Sequence, residues 1–329
     1  MSDERRLTLR TTEAHAGRRL DEVVAHWLPE ALGRPLSKAK VRRLIMAGAV
    51  RVGGSPGRRP GQALAAGRLV EARVRLDLLA DRTSRDRAFV LTAAHVLFED
   101  DALIAVDKPP GLPTAPTVDP GRPSLFEAVR AYLAGRSEGQ AHLGLHQRLD
   151  RDTSGVVLFA KDPAVNPALA EAFAGRAVVK TYHALTVRPA RLPPRTWRES
   201  SSLAAVGKGR RARVTAVRAG GLRAETDFAL SQVLARGLLV EARPRTGRKH
   251  QIRVHLAEAG LAILGDDLYG GRVPPGLDVP RLMLHATRLE LSHPSTGGRL
   301  VMESPHPEDF RRVLAALKVR GEPTRTRRG

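Results

Sequence analysis

The chain contains no cysteine in 329 residues. That removes disulfides, thiolate metal sites and cysteine nucleophiles, and it fits a reducing compartment. Long apolar runs are missing as well. The opening MSDERRLTLRTTEAHAGRRL holds no stretch of signal-peptide length, and nothing approaches the ~20 apolar residues that span a bilayer, so a soluble, cytoplasmic protein without a membrane partner is expected. Lysine is scarce, 8 of the 55 basic residues, a preference for arginine that compositional bias alone can produce. Bias does not account for the net charge. Against 34 acidic residues the balance is +21, a self-repulsion that a polyanion would relieve. Nucleic acid is the expected partner, although basic surfaces also serve membranes and acidic proteins. The length and a 42% hydrophobic content suffice for one large and one small domain. Nothing indicates an obligate protein partner, and a monomer is the default.

From Arg19, the residues Leu20, Val23, Val24, Trp27 and Leu28 recur at helical spacing. A second helix is predicted from Lys38 to Ala47, with Ser37 as N-cap and Gly48 where a left-handed C-cap belongs. Strand-like pieces at Ala49–Val52 and Leu69–Val74 flank the turn-forming GGSPGRRPG. Residues 1–90 carry 19 basic and 10 acidic side chains, with Lys38, Lys40, Arg42 and Arg43 crowded on one short helix. Such a cluster suits a phosphate backbone, and spacing alone fits a solvated helix face equally well. The pattern RRLDEVVAHWLPEALGRPLSKAKVRRLIMAGAVRVGG resembles the S4 RNA-binding domain, over roughly residues 17–76. The resemblance implies a small α+β module in which those four cations bind RNA, preceded by an N-terminal segment, 1–16.

The charged, aperiodic RLDLLADRTSRDR reads as a linker, placed at 77–88. A larger domain is expected over 89–315, with a basic, unstructured tail at 316–329. Two short strands are predicted around Glu99–Asp101, and further strands in GVVLFAK, VVKTYHALTV and GLLVEARP. Helices fall at about 124–134, 163–173 and 250–259.

The segment HQRLDRDTSG, residues 146–155, gathers polar groups at the mouth of an apolar strand, where sites are often built. Arg148 and Arg151 flank Asp150, and a turn-capping aspartate accounts for the same residue equally well. Arg148-Leu149-Asp150 followed by Thr153-Ser154-Gly155 resembles the signature of the RluA-type pseudouridine synthases. Other landmarks of that family occur in order: VDKPPGL at Lys108, KTYHA with Tyr182, RTGRKHQIRVHL, LGDDLYGG and LMLHATRLELSHPSTG. One departure is that Gln147 stands between His146 and Arg148, where the family has histidine directly before Arg-Leu-Asp.

The resemblance implies an α+β catalytic domain built on a long mixed, mainly antiparallel sheet with flanking helices. It also implies a cofactor-free, metal-free isomerisation of uridine to pseudouridine in structured RNA, ribosomal RNA favoured and transfer RNA possible. The bond from ribose C1′ to uracil N1 breaks, the base turns, and C5 takes over the bond. A carboxylate near the sugar is needed, as nucleophile or base. Asp150 is that group by resemblance, Arg253 its pairing guanidinium, and Tyr182 the ring that stacks on uracil. In a helix at 250–259, Ile252, Leu256 and Ala259 would face the core with Arg253 at the rim. Ile252 is expected against the base and Thr153 in the substrate site. Arg148 would fill the gap left by the extruded nucleotide, or bind phosphate, and Lys249 at a helix start favours an anion.

Two rival functions compete. A catalytically silent RNA-binding or ribosome-assembly factor has no need of Asp150, Tyr182 and Arg253 together. A glycosidic hydrolase needs two carboxylates, and Asp152 is the near neighbour available. A metal reading of His142, His146 and Asp150, spaced i, i+4, i+8, is opposed by Gly144 and the arginine-rich flank.

Overall fold

The computed structural model describes the chain except residues 1–3, 34, 37, 47, 58–59, 76–88, 117–122, 137–141, 176, 208–212, 272 and 320–329. The expected N-cap Ser37 and linker 77–88 lie outside the described residues, as do the side chains of Lys40 and Arg43. Two compact units are present: Met1–Val90 with Ala115–Val129, and Leu91–Thr114 with Arg130–Gly329.

In the first unit, β1 (Glu4–Arg10), α1 (Leu20–Leu32), α2 (Lys38–Met46), β2 (Val50–Val52), β3 (Ser55–Pro56) and β4 (Leu69–Arg75) form two helices beside a four-stranded sheet of order β1-β4-β2-β3. The α1 stripe folds as its spacing predicts: Leu20, Val23, Val24 and Leu28 are buried with Val41, Leu44 and Ile45 of α2 against Val50, Val70, Ala72 and Val74. Gly48 takes a left-handed φ of 73° just past α2, a conformation that glycine adopts without a Cβ penalty. The expected boundary at residue 17 is corrected. Glu4–Arg10 is a strand paired in full antiparallel register with β4. Its alternating ERRLTLR turns Leu7 and Leu9 toward the core, while Arg6 bonds Glu71 across the ladder.

The second unit is organised by an eleven-stranded sheet made of β5 (Val96–Glu99), β6 (Leu103–Lys108), β7 (Gly144–Leu145), β8 (Ser154–Ala160), β9 (Val179–Thr186), β10 (Thr196–Val206), β11 (Arg213–Val217), β12 (Leu222–Val233), β13 (Leu238–Pro244), β14 (Leu284–Ser292) and β15 (Arg299–Glu303). Its path runs β11-β10-β12-β13-β9-β14-β8-β6-β5, with β15 on β14 and β7 on β8. The pairings are antiparallel except β14 with β8. In chain order the remaining helices are α3 (Leu125–Ala134), whose residues fall in both units, and α4 (Asn166–Ala174), α5 (Gln251–Glu258) and α6 (Glu308–Lys318) of the second. This is the mixed, mainly antiparallel α+β arrangement expected.

Two differences follow from burial. Residues 316–318, expected in the tail, belong to α6, which runs to Lys318 and buries Phe310, Val313 and Leu317, while 320–329 lie outside the described residues. Helix α5 ends at Glu258, so Ala259, expected on the core stripe, is an exposed C-cap. Among the described residues, no helix is long and apolar enough to cross a membrane.

The parallel β14–β8 contact positions the site. It is short, His285 opposite Ser154 and Ala286 opposite Gly155. Gly155 has φ 115°, and a Cβ there would fall 2.2 Å from the Ala286 carbonyl oxygen, so only glycine lets the backbones approach this closely. Strand β14 also pairs with β9, His285 facing His183, so the end of HQRLDRDTSG, which leads into β8, is brought level with the middle of β9, next to Tyr182.

Candidate active site

A cleft of about 1080 Å³ is lined by Arg148, Asp150, Thr153, Lys180, Tyr182, Lys249, His250, Ile252 and Arg253, among others. Every catalytic or substrate residue expected from the sequence therefore borders one space, although Arg148-to-Thr153, Tyr182 and Lys249-to-Arg253 come from three distant segments.

Asp150 stands on an irregular segment whose backbone is held by neighbours. Thr114 Oγ1 donates to the Leu149 carbonyl at 2.8 Å and accepts from the Leu149 N–H at 3.1 Å. Lys108, fully buried, donates from Nζ to the carbonyls of Pro109, Leu112 and Arg151 at 2.7–2.9 Å. Burial draws its amine down to about 7, with nearby Asp152 opposing. The VDKPPGL landmark thus braces the loop that carries Asp150.

The Asp150 carboxylate receives Arg253 Nη1 at 2.8 Å. The same guanidinium donates Nε and Nη2 to Asp266, each at 2.8 Å, in a fork geometry. Asp266 is 2% exposed, and its Oδ1 also accepts the N–H groups of Leu268 and Tyr269. Burial works against the charge of Arg253, but the bonds and charges of Asp266 and Asp150 prevail, and its pKa is raised. Tyr269 adds a ring 5.1 Å from the guanidinium carbon.

His250 precedes α5 with φ 56° and ψ 17°, the one non-glycine residue in the left-handed region among those described. Its Nε2 lies 3.7 Å from Asp150 Oδ2, and its Nδ1 is 2.9 Å from the Tyr269 hydroxyl. Burial lowers its pKa, with Asp150 opposing and Arg253 adding to the shift. The loop before it is fixed by buried Gln251, whose Oε1 accepts from Thr246 Oγ1 and the Arg248 N–H. Its Nε2 donates to the Glu225 carbonyl and Thr226 Oγ1. Lys249 and Arg248 are left exposed on the cleft.

Tyr182 sits mid-sheet with Ala242 of β13 and Ala286 of β14 as its cross-strand partners, packed against the core on one side and lining the cleft on another. Burial, then the charge of Asp150, raises its phenol pKa. Ile252 is 6% exposed and belongs both to the cleft wall and to the core. Thr153 is also buried, and its Oγ1 has no hydrogen-bond partner among the described residues. Arg148 is exposed at the cleft.

Other expected residues are placed differently. His146 and His142 both bond Asn166, at 2.8 Å each. Gly144–Leu145 between them is a strand and not a helix, so the i, i+4, i+8 spacing does not make a shared face. A side chain at Gly144 would meet Asn166 Oδ1 at 2.2 Å. Asp152 is paired with Arg151 at 2.8 Å, and the second carboxylate near the cleft, Asp266, is committed to Arg253. The two-carboxylate geometry of a glycosidase is therefore absent from this site among the described residues. In the first unit Lys38 is exposed, whereas Arg42 donates to buried Asp21 at 2.7 Å. That bond and two from Arg19 hold the Asp21 carboxyl down at about 2.

Asp266, Tyr269, His250 and Lys180 are site residues that sequence reasoning did not name. LGDDLYGG and RTGRKHQIRVHL contain the first three, but which of the paired aspartates Asp266 and Asp267 turns inward is a matter of backbone geometry.

The chain is similar to known proteins over most of its length. A family profile described as RNA pseudouridylate synthase matches residues 102–258. Ribosomal large subunit pseudouridine synthase C of Yersinia pestis is 34% identical over 92% of this chain and 93% of its own length. Ribosomal large subunit pseudouridine synthase D of Xanthomonas campestris pv. campestris is 32% identical over 93% of this chain and 91% of its own. Among solved structures, human RNA Pseudouridylate Synthase Domain Containing 4 superposes with a TM-score of 0.56 at 27% identity, over 68% of this chain and 93% of that one. The chain belongs to the RNA pseudouridylate synthase family and is an RluA-type pseudouridine synthase.

Proposed function

We propose that this enzyme converts specific uridines of ribosomal RNA to pseudouridine in the cytoplasm, as a monomer, with Asp150 as the carboxylate that acts at the sugar. The observation that carries the reading is Asp150 held by Arg253 in the same cleft as Tyr182 and Ile252. The ribosomal substrate is supported by the names of the two bacterial relatives.

The uridine enters the cleft extruded from its stack, at a cost of a few kcal/mol. Arg148, exposed at the rim, takes the vacated place, and Lys249 meets the backbone. The uracil lies on the Tyr182 ring with Ile252 beside it. Asp150, presented by Arg253, attacks C1′ or removes a sugar proton; both routes break the C1′–N1 bond, and both use the oxygen that faces the cleft. The uracil departs as an anion and turns; C5 bonds to C1′ as the Asp150–C1′ bond breaks or as the sugar proton is returned, and the proton lost from C5 is balanced by one taken up at N1. Burial, then the charge of Asp150, raises the Tyr182 pKa, so the ring stacks on the base with its hydroxyl still protonated. Thr153 Oγ1, buried at the cleft with no partner among the described residues, is a hydroxyl that substrate can satisfy. The S4-like first unit adds affinity through phosphate contacts from the α2 cations, raising the effective concentration of RNA at the cleft.

Tritium release from [5-³H]uridine-labelled RNA, prepared from cells lacking this gene, tests the reading. Wild type is expected to release tritium from ribosomal RNA, with none from Asp150→Ala. Release of free uracil would point to hydrolysis, and release from transfer RNA alone would overturn the ribosomal assignment.

A further inference from the structure

The cleft contains a half-buried cation with no acidic counterpart among the described residues. Lys180 lies two residues before Tyr182 on β9, on the same side of the strand, so both line the cleft. Other enclosed cations described in this unit are matched: Arg253 by two carboxylates, Arg281 by Asp309, Lys161 by Glu99, and Lys108 by three carbonyls. Lys180 forms no ion pair among the described residues. Its ammonium is instead placed 5.8 Å from the centre of the Phe173 ring. A cation–π contact orients an ammonium yet leaves its hydrogens available. Burial alone lowers its pKa, with no carboxylate to offset the shift, and a desolvated charge of this kind is costly until an anion meets it. Gly247, which also lines the cleft, sets no side chain beside that ammonium: a Cβ there would be 3.9 Å from Lys180 Nζ.

We propose that Lys180, oriented by Phe173, holds one backbone phosphate of the RNA strand beside the reacting uridine. Two strand residues separate its Cα from that of Tyr182 by about 7 Å, so the phosphate it grips belongs to a nucleotide next to the one stacked on the ring. The inference rests on the functional reading above. It names a point of strand registration in the cleft, distinct from the α2 cations and from the Asp150–Arg253 pair.

The test titrates full-length wild type, Lys180→Met and Lys180→Arg with a minimal target RNA carrying a single methylphosphonate at each linkage around the uridine. Wild type is expected to lose affinity at one linkage. Lys180→Met should bind about tenfold more weakly, flatten the slope of log affinity against log salt by about 0.7, and ignore that same linkage. Lys180→Arg should restore the sensitivity. A Lys180→Met protein with the wild-type salt slope and linkage profile, its loss confined to kcat, would overturn the proposal and make Lys180 a packing partner of Tyr182. Should wild type form no pseudouridine in any RNA, the functional reading fails on its own, while the salt slope and linkage profile of binding still decide the role of Lys180.

Discussion

Asp150 and Asp266 are joined through a single guanidinium: Arg253 gives one N–H to the first and two to the second, all at 2.8 Å. The buried carboxylate is the anchor and the cleft carboxylate is what it aims. Replacing Asp266 by Asn keeps the volume but turns an amide N–H toward the guanidinium. The expected result is a loss of about 3 kcal/mol of stability from the broken buried pair, and a fall of about 10²-fold in kcat as Arg253 loses its aim. RNA affinity should change little. Urea denaturation and single-turnover kinetics on the same preparation check both; a kcat within a few-fold of wild type would show that Asp150 is oriented without Asp266.

His250 combines an unfavourable backbone with a placed imidazole. At φ 56° a Cβ costs about 1–2 kcal/mol, while the ring contacts Asp150 and Tyr269. His250→Gly and His250→Ala remove the same ring but differ in backbone freedom. The glycine variant is expected to be more stable than the alanine variant by about 1 kcal/mol, with both similarly impaired in turnover. Chemical denaturation of the pair reads the backbone term, and activity reads the ring.

Stability should fall on acidification through a window set by buried histidines. His255 and His285, 1% and 0% exposed, are lowered to about 4 chiefly by burial. Above their ordinary value, about 6.5, folded and unfolded chains both hold them neutral. Between about 6.5 and 4 only the unfolded chain gains the protons, so stability declines as pH falls, on the order of 2 kcal/mol per histidine by pH 4. Thermal melts at pH 7.5 and 4.5 should show the drop, and His285→Gln should reduce its size. An equal pH dependence in that variant would assign the effect elsewhere.

Gly155 is where two strands come closest. Gly155→Ala would press a methyl into the Ala286 carbonyl, with φ 115° adding strain. A loss of about 3 kcal/mol or more is expected, measurable as a lowered melting temperature. Gly111→Ala, which has open space around it at φ 81°, should lose less.

Much of this protein could be read along the chain. The α1 stripe, the β5–β6 pair and the strands around Tyr182 follow from local periodicity, and the RLD–TSG, KTYHA and HQIR segments carry the family resemblance. The edge strand Glu4–Arg10 was not legible, because its polar alternation gains meaning only opposite β4. Helix α6 escaped notice as well, since a basic sequence near a chain end gives little sign of the core that buries Phe310 and Leu317.

The sequence by itself determined the chemistry available: a carboxylate, a guanidinium, a tyrosine, a basic surface and no thiols. Tertiary structure decided which of these meet. Asp150 and Arg253 are 103 residues apart, and they touch because β14 pairs with β8 on one side and β9 on the other. Asp266 became the anchor and Arg42 the partner of Asp21 for the same reason. Charge pairing inside a protein is set by distance and by exclusion of water, and neither quantity is written in the order of residues.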